Sequence, residues 1–196
     1  MDFSEATGLL LKAVHFAADK HRSQRRKDAA QSPYIDHPIE VAQLLWEVGG
    51  VREASVIVAA LLHDTIEDTE TAREELRDLF GAEVLSLVLE LTDDKSLDKA
   101  ERKRLQIVNA PHRSAAAKLI ALADKCCNLR DLLQSPPRDW SVGRRRDYLL
   151  WSEQVVAGLR GASPTLEAYY DRDVSEGRVS LGIEYGIPYD PYRRVP

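Results

Sequence analysis

The sequence predicts an all-α protein: a compact helical bundle with an extended C-terminal tail. Three observations carry that expectation. Apolar residues recur at helical spacing through nearly every segment. The breaks between segments fall at glycine, proline and serine, which stop helices. There is no strand–helix alternation and no internal repeat of roughly 20–50 residues. With 196 residues, 44% hydrophobic and 30% charged, the chain suits one domain with a substantial core and a charged surface.

The elements follow in order. Residues 4–20 place Leu9, Leu10, Ala13, Val14 and Ala17 on one helical face. Pro38 suits the first turn of a second helix, where its missing N–H costs nothing. That helix has the face Val41, Leu44, Leu45 and Val48 and stops at Gly49-Gly50. Residues 52–66 are largely apolar all round and read as a central helix. Thr71 and Glu74 have capping-box spacing ahead of a short helix that ends at Gly81, and residues 82–91 form another. A charged helix over 98–109 is stopped by Pro111. A long one from Ser114 to Leu133 is ended by Ser135-Pro136-Pro137. Residues 141–160 form the last long helix, closed by Gly161, with a short one from Thr165. From about Asp173 the texture changes. VSLGIEYGIPYDPYRRVP carries three tyrosines, three prolines and two glycines and reads as a non-helical tail.

Charge and composition narrow the function classes. A net charge of −5 argues against general nucleic-acid affinity. No apolar run approaches the ~20 residues needed to span a bilayer. The N-terminus MDFSEATGLLLKAVHF lacks a basic leader and a cleavage signature. Cys126 and Cys127 are adjacent and make no disulfide framework, so a cytoplasmic protein without membrane association is expected. Basic residues are nevertheless clustered: Lys20, Arg22, Arg25, Arg26 and Lys27, then Lys99, Arg102, Lys103 and Arg104, then Arg144, Arg145 and Arg146. Such clusters in an acidic chain suit either a solvated helix face or a site for a small polyanion.

The stretch LLHDTIEDT, residues 61–69, runs buried-type leucines into a histidine and three acids. Charge at a core helix end needs a partner. His63 and Glu67 are one turn apart on the same face, as are Asp64 and Asp68. His63 and Asp64 lie about 100° apart around the axis and can reach one ion at the helix end. Two ligands are too few, and the candidates elsewhere are His37 in PYIDHP and Asp124 in IALADKCCN. Two imidazoles and two carboxylates suit a borderline-to-hard divalent ion such as Mn²⁺. Without thiolate ligands, zinc fits less well. His15 and His21 read as packing or surface residues.

Taken together, KHRSQRRKD, SPYIDHPIEVAQLL, AALLHDTIEDT, LTDDK, ERKRLQ and KLIALADKCCNLRDL resemble, in order, the motifs of the HD-domain hydrolases of guanosine tetra- and pentaphosphate. The resemblance spans residues 5–160 and is strongest to the small stand-alone members of this RelA/SpoT-type family. It does not extend to the segment after Leu166. It implies an HD-type phosphohydrolase domain, taken over 1–172, while the non-helical tail over 173–196 is read from composition alone. It further implies a metal set of His37, His63, Asp64 and Asp124, with Mn²⁺ as the ion. Glu67 and Asp68 fall on the family's catalytic acid pair. Arg26, Lys27, Lys99, Asn128, Arg144 and Tyr148 fall on substrate-binding positions. The implied reaction is hydrolysis of the 3′-pyrophosphate of ppGpp or pppGpp to GDP or GTP plus pyrophosphate. The same site could remove the 2′-phosphate of NADPH, or the chain could be a nucleotide-binding HD module without turnover. An intact metal set beside an intact Glu67-Asp68 pair argues against the last.

Overall fold

The computed structural model describes residues 2–184 and Gly186. Side-chain caps start most helices. Asp2 accepts the Glu5 amide at 2.8 Å and Glu5 accepts the Asp2 amide at 3.0 Å, a reciprocal box that opens α1 (Phe3–Lys20). A loop follows, carrying one isolated antiparallel bridge between Arg25 and Pro33. It leads into α2 (Asp36–Glu47), with Pro38 in its first turn as expected.

The apolar helix expected over 52–66 is broken. α3 (Ala54–Leu62) is buried from Val56 to Leu62, and α4 (Thr65–Asp68) is a single separate turn. Asp64, with ψ of −3°, departs from helical geometry between them. The Thr65 hydroxyl donates to the Leu62 carbonyl at 2.7 Å and occupies an acceptor that the helix would otherwise use. α5 (Arg73–Leu91) kinks at Gly81, whose φ of 89° is open to glycine, so the two expected helices meet there almost end to end. The expected Thr71–Glu74 capping box does not form. The N-cap is Ala72, and the Thr71 hydroxyl is paired with that of Thr69 at 2.7 Å.

α6 (Lys99–Asn109) is capped by Asp98 and runs into a tight turn over Ala110–His112. α7 (Ala115–Gln134) is capped by Ser114, and α8 (Val142–Ala157) by Ser141. The short helix expected from Thr165 is in fact α9 (Pro164–Leu181), of 18 residues. This corrects the expectation of a non-helical tail from Asp173. The segment stays helical because Val174, Gly177 and Leu181 bury one face against α7 and α8. At Gly177 a Cβ would lie 2.6 Å from Leu149 Cδ1, so glycine is what lets α9 come this close. Arg178 grips Glu153 of α8 with two hydrogen bonds, of 2.9 and 2.7 Å. The helix ends at Gly182 in the left-handed region. Tyr185, Tyr189 and Tyr192 of the expected tail lie outside the described residues.

The core is one cluster, with α3 and α7 at its centre and α1, α2, α5, α8 and α9 packed around them. No extended strand is formed among the described residues, and no helix there is long and apolar enough to cross a membrane. The break after Leu62 matters most for the site. It delivers His63 and Asp64 from the most buried helix of the fold.

Candidate active site

Four side chains converge from α2, the α3–α4 junction and α7. His37 Nε2 lies 3.0 Å from Asp124 Oδ1 and 3.9 Å from Asp64 Oδ2. His63 Nε2 lies 3.2 Å from Asp64 Oδ2 and 3.8 Å from Asp124 Oδ1. Both imidazoles are buried. His63 Nδ1 is 2.7 Å from the Ala60 carbonyl, to which it can only donate, so Nε2 is the atom aimed at the acids. That Nε2 is buried and has no well-oriented hydrogen-bond partner. A lone pair facing two carboxylates requires a cation or a proton between them. Burial opposes a charge on His63, yet Asp64 and Asp124 prevail and raise its pKa well above the ordinary histidine value. Burial likewise pushes the acids upward. It is overcome at Asp64 by the two histidines and at Asp124 by Lys125 and the histidines, and both stay below the carboxylate range. A cluster with this affinity for a proton has the donors and the excess negative charge for a divalent metal ion. His37, His63 and Asp64 lie close enough together to share one cation, with Asp124 beside both histidines; His37, Glu40 and Asp131 form a second such group, but Arg26 and Arg130 already neutralise its acids.

Glu67 lines the same small cavity, of about 170 Å³, as His37, His63, Asp64 and Asp124. Its Oε2 accepts the Asp93 amide at 2.9 Å, and Arg102 stands 3.7 Å from Oε1. Burial, reinforced by Asp93, Asp64 and Asp68, raises its pKa to about 7 against the pull of that amide. Asp68, one residue on, is turned away. Its carboxylate is ion-paired to Lys95, and it lines neither this cavity nor the larger one beside it. The fold therefore brings Glu67, but not Asp68, to the His₂Asp₂ cluster.

The larger cavity, about 970 Å³, adjoins the first at Tyr34, His37, Gln106 and Asn128. The three basic clusters converge on it. Arg26 and Lys27 come from the loop after α1, Lys99 from the start of α6, and Arg144 from the start of α8. Lys99, Arg102, Lys103 and Gln106 share one face of α6 at helical spacing, and all four line the cavity. The cations depress one another. Burial, then Arg144, Lys27 and Arg102, lower the Lys99 pKa, and burial with Lys99 brings Lys103 to about 8. Arg26 is less available, being ion-paired to Asp131. Tyr148 stands between Trp140 and Trp151 at centroid distances of 5.6 and 5.2 Å, and Arg144 lies 4.4 Å over Trp140. Asn128 lines both spaces, but its Nδ2 donates to Asp124 Oδ1 at 2.6 Å, so it steadies that carboxylate as well as facing the pocket.

The HD-domain family matches residues 13–149. The chain belongs to the HD-domain family. It is 51% identical over 168 residues to the guanosine-3′,5′-bis(diphosphate) 3′-pyrophosphohydrolase MESH1 of Xenopus tropicalis, covering 86% of this chain and 94% of the relative. The Homo sapiens protein of the same name is 54% identical over 158 residues, covering 81% and 88%. A solved structure described as a metazoan ortholog of SpoT that hydrolyzes ppGpp superimposes with a TM-score of 0.84. It is 46% identical and covers 86% of this chain and 94% of that one.

Several residues of this HD-domain site escaped the sequence analysis. Tyr34 donates its hydroxyl to Asp64 Oδ2 at 2.6 Å, and the proximity of Asp64 and Asp124, on top of burial, holds its pKa far above the ordinary value. Trp140 and Trp151 make the aromatic wall. On α8, Arg144, Tyr148 and Trp151 follow at steps of four and three, a signal of one shared face that the sequence did contain. Tyr34 had none beyond lying three residues before His37.

Proposed function

We infer that the chain is a metal-dependent guanosine-3′,5′-bis(diphosphate) 3′-pyrophosphohydrolase that converts ppGpp or pppGpp to GDP or GTP plus pyrophosphate. In the cell this is alarmone degradation in the stringent response, and a cytoplasmic location fits it. The observation that carries the reading is the junction of two spaces: a His₂Asp₂ cluster with Glu67 beside it, opening onto a cavity fed by three basic segments. The names of its relatives agree with it.

His37, His63, Asp64 and Asp124 would hold the ion, for which Mn²⁺ suits two imidazoles and two carboxylates. When bound, such an ion lowers the pKa of water and neutralises charge on the attacked phosphate. The water oxygen bonds to the phosphorus attached to the 3′-oxygen, and the bond from that phosphorus to the 3′-oxygen breaks. The water proton passes to the Glu67 carboxylate, and the 3′-oxygen leaves as the hydroxyl of GDP, taking a proton from solvent. Glu67 suits this role because a base with a pKa of about 7 both accepts and releases a proton near neutrality. Its Oε2 is held by the Asp93 amide, which leaves Oε1 to face the water. Asp68 acts through position, by its ion pair with Lys95. Lys27, Lys99 and Arg144 hold the polyphosphate, and Tyr148 with its flanking tryptophans packs against the base. Asn128 keeps Asp124 oriented.

The test is product release from ppGpp and from NADPH, side by side, with manganese. Pyrophosphate from ppGpp at a much higher kcat/KM supports the reading. Phosphate from NADPH alone would replace it with 2′-phosphatase action by the same site. Nucleotide binding without any product would leave a non-catalytic module.

A further inference from the structure

Arg113 lies between the tight turn at Ala110–His112 and the cap of α7, in a loop whose sequence, PHRS, carries no recognisable motif. The backbone there (φ −63°, ψ 150°) is extended and returns the side chain under the metal cluster, where it lines the small cavity. Among the described residues it forms no hydrogen bond and no ion pair, and its Nε is buried without a partner. The guanidinium is half-buried, and an Nε–H cut off from both water and a protein acceptor is costly. The acids nearest it electrostatically are occupied elsewhere. Glu90 accepts the Ser114 amide at 2.7 Å, Asp93 accepts Gln106 at 2.7 Å, and Asp124 is shared by His37, Lys125 and Asn128.

The cavity also holds free space beside the metal cluster. Its 170 Å³ is room for about six water-sized groups at ~30 Å³ each. Tyr34, His37, Gln106 and Asn128 form the boundary it shares with the nucleotide cavity, and Arg113 lies, with His63, Asp64, Glu67 and Asp124, on the wall of the small cavity only. A substrate entering from the nucleotide side would place its attacked phosphorus at the metal set. Anything attached beyond that phosphorus would enter the space that Arg113 lines.

We propose that this inner space is a subsite for the terminal phosphate of a diphosphate ester, with the Arg113 guanidinium as its ligand. Arg113 thereby makes the site prefer a 3′-diphosphate over a 3′-monophosphate. The proposal rests on the hydrolase reading above and adds to it a determinant of which phosphate ester is cut. Arginine suits the task, since its planar fork matches two oxygens of one phosphate and it stays protonated when buried. The contact forms with substrate and persists through the reaction, so its effect belongs mainly to KM.

The experiment compares ppGpp with guanosine 5′-diphosphate 3′-monophosphate, which lacks only the terminal phosphate, on manganese-loaded wild type, Arg113→Ala and Arg113→Lys. Loss of one charge-assisted pair lowers kcat/KM for ppGpp about 10–100-fold in Arg113→Ala, carried by KM. Turnover of the monophosphate stays within about twofold, the scatter of a substitution that touches nothing in that substrate. Arg113→Lys recovers part of the loss for ppGpp. Equal losses on both substrates would make Arg113 a general counter-charge for Glu90 and Asp93 and overturn the proposal, as would no loss on either. Calorimetric titration with inorganic pyrophosphate decides the same point without turnover. Binding should weaken about tenfold or more in Arg113→Ala, while GDP binding is unchanged. If wild type hydrolyses neither nucleotide, the hydrolase reading fails and the pyrophosphate titration still tests the subsite. A variant too unstable to load metal is replaced by Arg113→Gln, which keeps length and polarity.

Discussion

Replacing Glu67 by glutamine should abolish most turnover while making the protein more stable, a combination that a purely structural residue does not give. The side chain stays the same size, and its amide oxygen can take the place of Oε2 and still accept the Asp93 amide. Only the base is lost. General-base assistance is worth roughly 10²–10⁴-fold, and kcat should fall by about that factor with KM and metal content nearly unchanged. The stability change has the opposite sign. Burial raises the Glu67 pKa from 4.5 to about 7 in the folded, metal-free protein. Because the folded value lies above the unfolded one, the parent's stability is whole below about pH 4.5 and declines as pH rises towards about 7. The full displacement corresponds to about 3 kcal/mol. Solvent screening of a partly exposed carboxylate reduces that to roughly half. Glutamine does not ionise, so its advantage is absent near pH 4.5 and full above pH 7. At about 2–4 °C per kcal/mol for a domain of this size, chelator-treated Glu67→Gln should melt ~3–6 °C above the parent at pH 8, and level with it at pH 4.5. Calorimetry at the two pH values and a pyrophosphate-release assay with manganese measure both halves. A metal-replete variant that turns over at more than about a tenth of the parental rate would remove Glu67 from the mechanism. A lower melting temperature at pH 8 would show that its carboxylate supports the fold.

Three further perturbations test the remaining parts. His63→Ala grown in manganese-rich medium should carry far less metal than the parent by elemental analysis, and equal metal would reject the ligand assignment. Lys99 has no carboxylate partner among the described residues and is repelled by Arg144, Lys27 and Arg102. Lys99→Ala should therefore raise KM for ppGpp by about tenfold, with no loss of thermal stability; an unchanged KM would place Lys99 on a solvated face. A chain ending at Asp173 loses the buried side chains of Val174, Leu181 and Ile183 and the Arg178–Glu153 pair. At ~1.5–3 kcal/mol for each apolar side chain, that approaches the whole stability of a typical domain. Circular dichroism should show a largely unfolded protein, whereas a chain ending at Gly186 should keep its helical signal. A folded, active chain ending at Asp173 would contradict the packing described for α9.

Local chemistry was legible along the chain because its causes are local. Asp98, Ser114 and Ser141 announce helix starts through side chains that reach an amide three residues on. The apolar run Val56–Leu62 announces a buried helix, and His63-Asp64 at its end announces a charge that needs a partner. The motif resemblance then named Glu67, Lys27, Lys99, Arg144 and Tyr148, and the structure places each of them on one of the two cavities. Other features depended on distant packing. Composition around Asp173 read as irregular, yet α9 continues because Gly177 meets Leu149 of another helix. Glu67 and Asp68 are adjacent and chemically alike, and what separates them is the Asp93 amide on one side and Lys95 on the other. Arg113 carried no pattern at all. It matters because the chain turns it beneath a cluster assembled from residues 37, 63, 64 and 124, and leaves its donors without a protein acceptor. Helix ends and buried faces are decided within a few residues of themselves and so can be read from sequence. Which charge stays unpaired in a cavity is a property of every group around that cavity, and only the folded chain brings those groups together.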